Sequence, residues 1–142
     1  MTLERADIEA LLPHRAPFLF LDRAQVIEAG KHATAEHDVK ADAFWVVGHF
    51  PAEPIMPGVL IAEAMAQVAA VAVLSGEPSD AGRSTYLVGY DKLRFRKPVR
   101  PGDTLCIRAE LQGVRRGMAT LTATAMVGED RVANGTLMAV LG

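Results

Sequence analysis

The chain has 142 residues, 50% of them hydrophobic and 23% charged, which fits one folded domain with its own core and excludes a disordered chain. The formal net charge is −2, so bulk electrostatics gives no pull toward nucleic acid, and no aromatic-rich basic ladder for stacking bases occurs. The single cysteine, Cys106, excludes an intrachain disulfide and suits a reducing compartment, so a cytoplasmic location is expected.

The first segment, "MTLERADIEALLP", carries Glu4, Arg5 and Asp7 where a signal peptide would need apolar residues, and it reads as part of the fold. Arg5 to Leu12 predicts a short helix ended by Pro13. "FLFLDRAQVIEAG" and "KHATAEHDVK" predict two strands paired around Glu28 to Lys31, with Gly30 in the turn. Ala41 to Pro57 is a loop dense in Pro and Gly. Gly58 to Leu74 is one long apolar run rich in alanine. It holds Glu63 and Gln67, so a buried helix is expected and not membrane insertion. "SGEPSDAGRS" is a polar connection.

The remainder predicts strand after strand. "TYLVGYDKLRFRK" ends near Pro98. In "DTLCIRAELQGV", Leu105, Ile107, Ala109 and Leu111 share one face, and Thr104, Cys106, Arg108 and Glu110 share the other. Arg115-Arg116-Gly117 marks a turn. "MATLTATAMV" alternates again, with Thr120, Thr122 and Thr124 on one side. Gly128-Glu129-Asp130 marks the last turn before "RVANGTLMAVL". The expectation is an α+β domain over residues 1–142, one long central helix wrapped by an antiparallel sheet of about five or six strands. The sheet's open edges predict a homodimer.

The chemistry concentrates in "GHFPAEPIMPGVLIAEAMAQ", Gly48 to Gln67. Pro51, Pro54 and Pro57 stiffen a loop that can hold His49 in one place, as base or as a hydrogen-bonded connector. Glu63 and Gln67 lie four apart and share a helix face. A carboxyl among apolar residues is pushed toward its protonated form and can serve as a general acid. The other reading of Glu63 is solvent exposure or an arginine pair in a subunit interface. Gly58 opens the helix, where free N–H groups can polarise a carbonyl oxygen. Together these suggest proton abstraction beside a carbonyl with loss or gain of water. His14, His32, His37 and His49 have no metal-binding spacing. His32 and His37 are five apart, so on a regular strand they face opposite ways. No nucleophile elbow or phosphate-binding glycine motif occurs.

With "LLPHRAPFLFLDR" before this segment and "YDKLRFRKPVRPGDTL" after it, the chain resembles the bacterial (3R)-hydroxyacyl-[acyl-carrier-protein] dehydratase family of the FabZ type over nearly its full length. The resemblance implies the hot-dog fold, a long helix wrapped by an antiparallel sheet. It implies dimers, commonly three per hexamer, with two active sites at each dimer interface. It implies catalytic roles for His49 and Glu63, drawn from opposite subunits, and support of Glu63 by Gln67. The Gly58 amide is expected to face the thioester oxygen, and Phe50 to contact substrate. The substrate would arrive on the phosphopantetheine arm of an acyl carrier protein, with no metal or redox cofactor. Related dehydratase–isomerases carry aspartate where Glu63 stands, so dehydration without isomerisation is favoured, in fatty acid biosynthesis or a specialised polyketide-like route. A hot-dog thioesterase and a non-catalytic acyl-binding module are the rival readings, and retention of both His49 and Glu63 disfavours the module. "ADAFWVV", Ala41 to Val47, departs from the family pattern, so substrate preference can differ there.

Two features are more open. Lys92, Arg94 and Arg96 would share one strand face, either a carrier-protein contact or a solvated face. Tyr86 stands where the family often has an aromatic residue gating its acyl tunnel, and core packing would explain it as well. Cys106 falls on the polar register of its strand and is not expected to be reactive.

Overall fold

The computed structural model describes residues 1–142 and begins with a two-residue strand, β1 (Thr2–Leu3), followed by helix α1 (Arg5–Leu11). The Asp7 carboxylate accepts from the Glu4 N–H at 2.9 Å and so satisfies one unpaired amide at the α1 start. Ile8 and Leu12 are fully buried, and the helix stops one residue short of the predicted end, before Pro13. Strands β2 (Arg23–Glu28) and β3 (His32–Asp38) form the predicted hairpin. Its turn contains Gly30 at φ +79°, a conformation a side chain would resist.

The apolar run forms helix α2 (Gly58–Leu74), with the bounds expected from the sequence. Its residues are buried apart from Gly58, Val59, Glu63, Ala66 and Val73, which is the burial an almost all-round apolar helix requires. A 3-10 turn at Pro78–Asp80 leads to β4 (Thr85–Phe95), β5 (Thr104–Arg115), β6 (Met118–Val127) and β7 (Asp130–Leu141). All seven strands pair antiparallel in one sheet, in the order β1-β2-β3-β5-β6-β7-β4. The helix therefore carries the chain from the β3 side of the sheet to β4 at its far edge. It packs against β5 and β3, with further contacts to β6, β2 and β4.

The alternations in the sequence decide which face meets α2. Leu105, Ile107 and Ala109 of β5 are buried, as are Ala119, Leu121, Ala123 and Ala125 of β6. The Thr residues of β6 lie on the opposite face, as expected. Arg116 at φ 54° and Gly117 at φ 78° make the two-residue turn between β5 and β6, where both central residues need positive φ.

Three expectations need correction. The sheet has seven strands and not five or six, because two-residue β1 is too short to show a period. Phe18–Asp22 is not strand, and β2 begins at Arg23. The regular alternation through "KLRFR" is broken. Asp91 pairs with Thr136 and Arg94 with Asn134, so Lys92 and Leu93 stand opposite Gly135 alone, and Lys92 takes φ 54°.

One surface network fixes the first hairpin. Arg23 holds Asp38 through two N–H groups at 2.8 and 2.9 Å, and Glu36 at 2.6 Å. The Arg23 hydrogen bonds hold the Asp38 carboxyl below its ordinary range against a smaller opposing push from burial. Burial pushes Asp22 up, but hydrogen bonds from His37 and the Asp38 N–H outweigh it and hold Asp22 low. Carboxyls depressed by folding add stability above their unfolded pKa of about 3.9 and lose it as pH falls through their lower folded values. Asp38→Asn is thus expected to melt slightly below the wild type at pH 7, since an exposed pair is screened. The gap should close on acidification below about pH 4; a gap that stays constant in melts across that range would refute the assignment. On the same face Cys106 is half-buried with Sγ 3.6 Å from a Glu36 oxygen. Burial and that carboxylate raise its pKa, so it is a poor nucleophile, as expected.

Candidate active site

The Pro-rich loop is folded back on itself at His49. The His49 N–H donates to the Trp45 carbonyl at 3.0 Å, and the Ile55 N–H donates to the His49 carbonyl at 2.9 Å. Trp45 is buried beneath the loop, and the Met56 N–H reaches the Val99 carbonyl at 2.7 Å. The His49 ring Nδ1 lies 2.7 Å from the Ile55 carbonyl oxygen. A carbonyl only accepts, so Nδ1 carries the proton and Nε2 is left as the free base. Phe50, itself about half exposed, stacks on the imidazole with centroids 4.5 Å apart.

At the head of α2 the N–H groups of Leu60 and Ile61 both return to the Pro57 carbonyl, at 2.9 and 3.2 Å. The amides of Gly58 and Val59 precede them, at the positive end of the helix dipole. A Cβ on Gly58 would meet the Phe95 ring at 3.2–3.3 Å, so the absent side chain lets β4 close on the helix start.

One turn further along, Glu63 Oε2 accepts from Gln67 Nε2 at 2.9 Å. Gln67 is 1% exposed and fully engaged: its Oε1 accepts from the Phe20 N–H at 2.8 Å and its Nε2 also reaches the Phe18 carbonyl at 3.0 Å. The Tyr90 hydroxyl donates to the Ala62 carbonyl at 2.6 Å. Burial first, then the charge of Glu63, pushes the Tyr90 pKa up to about 12, so this phenol stays a neutral donor.

Glu63 and His14 line a cavity of about 150 Å³ between α2 and the sheet. The rest of its wall is mainly apolar, including Ala66, Ala70 and Val73 of α2, Leu87 of β4 and Leu121 of β6. Glu63 and Val73 are ten residues apart, so the cavity follows α2 for roughly 15 Å. His49 does not line it, and no hydrogen bond or ion pair joins His49 to Glu63 within the protomer. Tyr86 also lies outside this wall, 59% exposed on β4, while its neighbour Leu87 faces in. Lys92, Arg94 and Arg96 are exposed, but the bulge at Lys92–Leu93 prevents a single alternating stripe. Arg96 lies beyond the last residue of β4 with its Nε on Asn134 at 2.7 Å. The histidine beside Glu63, His14, had no role in the sequence reading, because neighbours across the fold leave no spacing signal.

A FabA-like domain model matches residues 12–136. The chain is 47% identical over 135 residues to the 3-hydroxyacyl-[acyl-carrier-protein] dehydratase FabZ of Desulforamulus reducens, covering 95% of this chain and 94% of that protein. It is 44% identical to the FabZ of Thermomicrobium roseum over 98% of this chain and 93% of that protein. The chain belongs to the FabZ-type dehydratase family. Among solved structures, the dehydratase heterocomplex ApeI:P of Xenorhabdus doucetiae superposes with a TM-score of 0.76 at 21% identity, covering 95% of this chain and 90% of that one. Cj0977 of Campylobacter jejuni does so with 0.72 at 17% identity, over 96% and 89%. Both likenesses concern the fold, and with the wrapped helix they make this FabZ-type chain a hot-dog domain. No helix of the chain is long and apolar enough to cross a membrane.

Proposed function

We propose that this chain dehydrates (3R)-hydroxyacyl thioesters on an acyl carrier protein to trans-2-enoyl thioesters, in fatty acid biosynthesis. The observation that carries the reading is the pairing of chemistries: an imidazole with a free Nε2 on a stiff loop, and a carboxyl set in an apolar cavity. His49 Nε2 takes the α-proton while the Gly58 amide polarises the thioester carbonyl. As the β C–O bond breaks, its electron pair leaves with oxygen, and the Glu63 proton completes a water molecule. These proton transfers run between side chains and substrate. The acyl chain extends along α2 into the cavity.

His49 and Glu63 act across a dimer interface in this reading. Their separation within one protomer supports it, as does the edge of the sheet. Strand β4 is a long edge strand with Tyr86, Leu87, Val88 and Phe95 substantially exposed. Such an edge is stable when paired with another copy. Exposed Lys92 and Arg94 of β4 suit the acidic carrier and the phosphate of its arm, and three dimers would build the hexamer. Mixing two inactive variants tests the shared site. Unfolded and refolded together, His49→Ala and Glu63→Gln chains should regain about a quarter of wild-type activity, because half the dimers are mixed and each has one intact site. No recovery in verified mixed dimers would defeat the shared site.

A further inference from the structure

The Glu63 carboxylate has a second neighbour besides Gln67. His14 Nε2 lies 3.5 Å from the same oxygen, Oε2, with the two side chains 23% and 25% exposed. His14 lies in the connection after α1, where Arg15 Nη1 holds the carbonyls of Leu12 and His14 at 2.9 and 2.6 Å. Its other ring nitrogen, Nδ1, is buried without any partner. A buried N–H without an acceptor is rarer and costlier than a bare lone pair. The neutral ring therefore places its proton on Nε2, facing Glu63. At 3.5 Å the contact is electrostatic and short of a full hydrogen bond, and such contacts often tighten when substrate binds.

Two N–H groups thus converge on Oε2, one from Gln67 and one from His14. An oxygen that faces two donors is the less favourable place for the acid proton, since protonation weakens it as an acceptor for both. No protein group reaches Oε1. We infer that His14 is a positioning residue which, with Gln67, reserves Oε1 of Glu63 for the proton delivered to the departing hydroxyl. When that proton leaves, the new carboxylate charge settles against the two N–H groups. His14 therefore acts on the chemical step more than on binding. The inference rests on Glu63 being the acid.

The test uses the full oligomer and a β-hydroxyacyl carrier-protein substrate. His14→Leu keeps bulk and removes the donor; it should lower kcat by about tenfold or more, with KM changed less than about twofold. His14→Gln, whose amide N–H can occupy the Nε2 position, should recover most of kcat. Should the leucine variant fail to fold, His14→Asn, whose amide is too short to reach Glu63, must be slow in its place. A folded His14→Leu (or Asn) enzyme at wild-type kcat, or a glutamine variant no faster than it, would overturn the inference. Failure of the underlying reading has a separate mark: Glu63→Gln would then retain activity whatever stands at position 14.

Discussion

Glu63→Gln is expected to lower kcat by about 10²–10⁴-fold, with KM and the melting temperature near those of the wild type. The substitution preserves shape and lets Gln67 still donate to an oxygen at position 63. It replaces an acidic proton with an amide N–H that water-forming chemistry cannot draw on. His49→Ala should fall in the same range, because the loop's backbone bonds to Trp45 and Ile55 survive while the free Nε2 is lost. Single-turnover rates with a β-hydroxyacyl carrier-protein substrate separate the chemical step from product release. A Glu63→Gln enzyme that dehydrates at the wild-type rate would remove Glu63 from the mechanism.

Gln67→Leu should be the most damaging single change to the fold near the site. Gln67 is the one buried polar side chain in the protein. It joins three groups, tying the Phe18–Phe20 segment to α2: the amide of Phe20, the carbonyl of Phe18 and the Glu63 carboxyl. Leucine fits the space but strands a buried N–H and a carbonyl, which together cost about 2–5 kcal/mol. For a chain of this length that is a fall of roughly 10 °C in Tm. Turnover should drop as well, since Phe18 and Phe20 belong to the segment that follows His14. Thermal melts decide the matter: a Gln67→Leu protein melting within about a degree of the wild type would mean that water satisfies the stranded groups.

The site was readable from the sequence in its chemistry and not in its assembly. Glu63 was conspicuous because a carboxyl within an apolar helix is expensive unless something compensates it. The fold shows what does so: Gln67 from the same helix and His14 from a segment about fifty residues earlier. Gln67 was traceable through the four-residue helical spacing. His14 was not, since a contact between a connection and a helix follows no period. For Tyr86 the familiar pattern suggested a tunnel gate or core packing; within the protomer it is exposed, and its neighbour Leu87 lines the cavity.

By itself the sequence determined the elements whose signals are local and repeated. Pro57 and Gly58 open α2 and its apolar run carries the helix to Leu74, because each turn repeats the same demand for burial. The alternations of β5 and β6 set their inner faces, because a strand's side chains change sides at every residue. Only the tertiary structure decided what depends on distant partners. Pairing with β2 made β1 a strand although it has two residues. The mismatch of Lys92–Leu93 against Gly135 bent β4 and broke the basic stripe. The path of α2 under the sheet put Glu63 in a cavity that His49 of the same chain does not reach. These outcomes depend on which backbone and side-chain groups meet across the sheet, and no window of neighbouring residues contains that information.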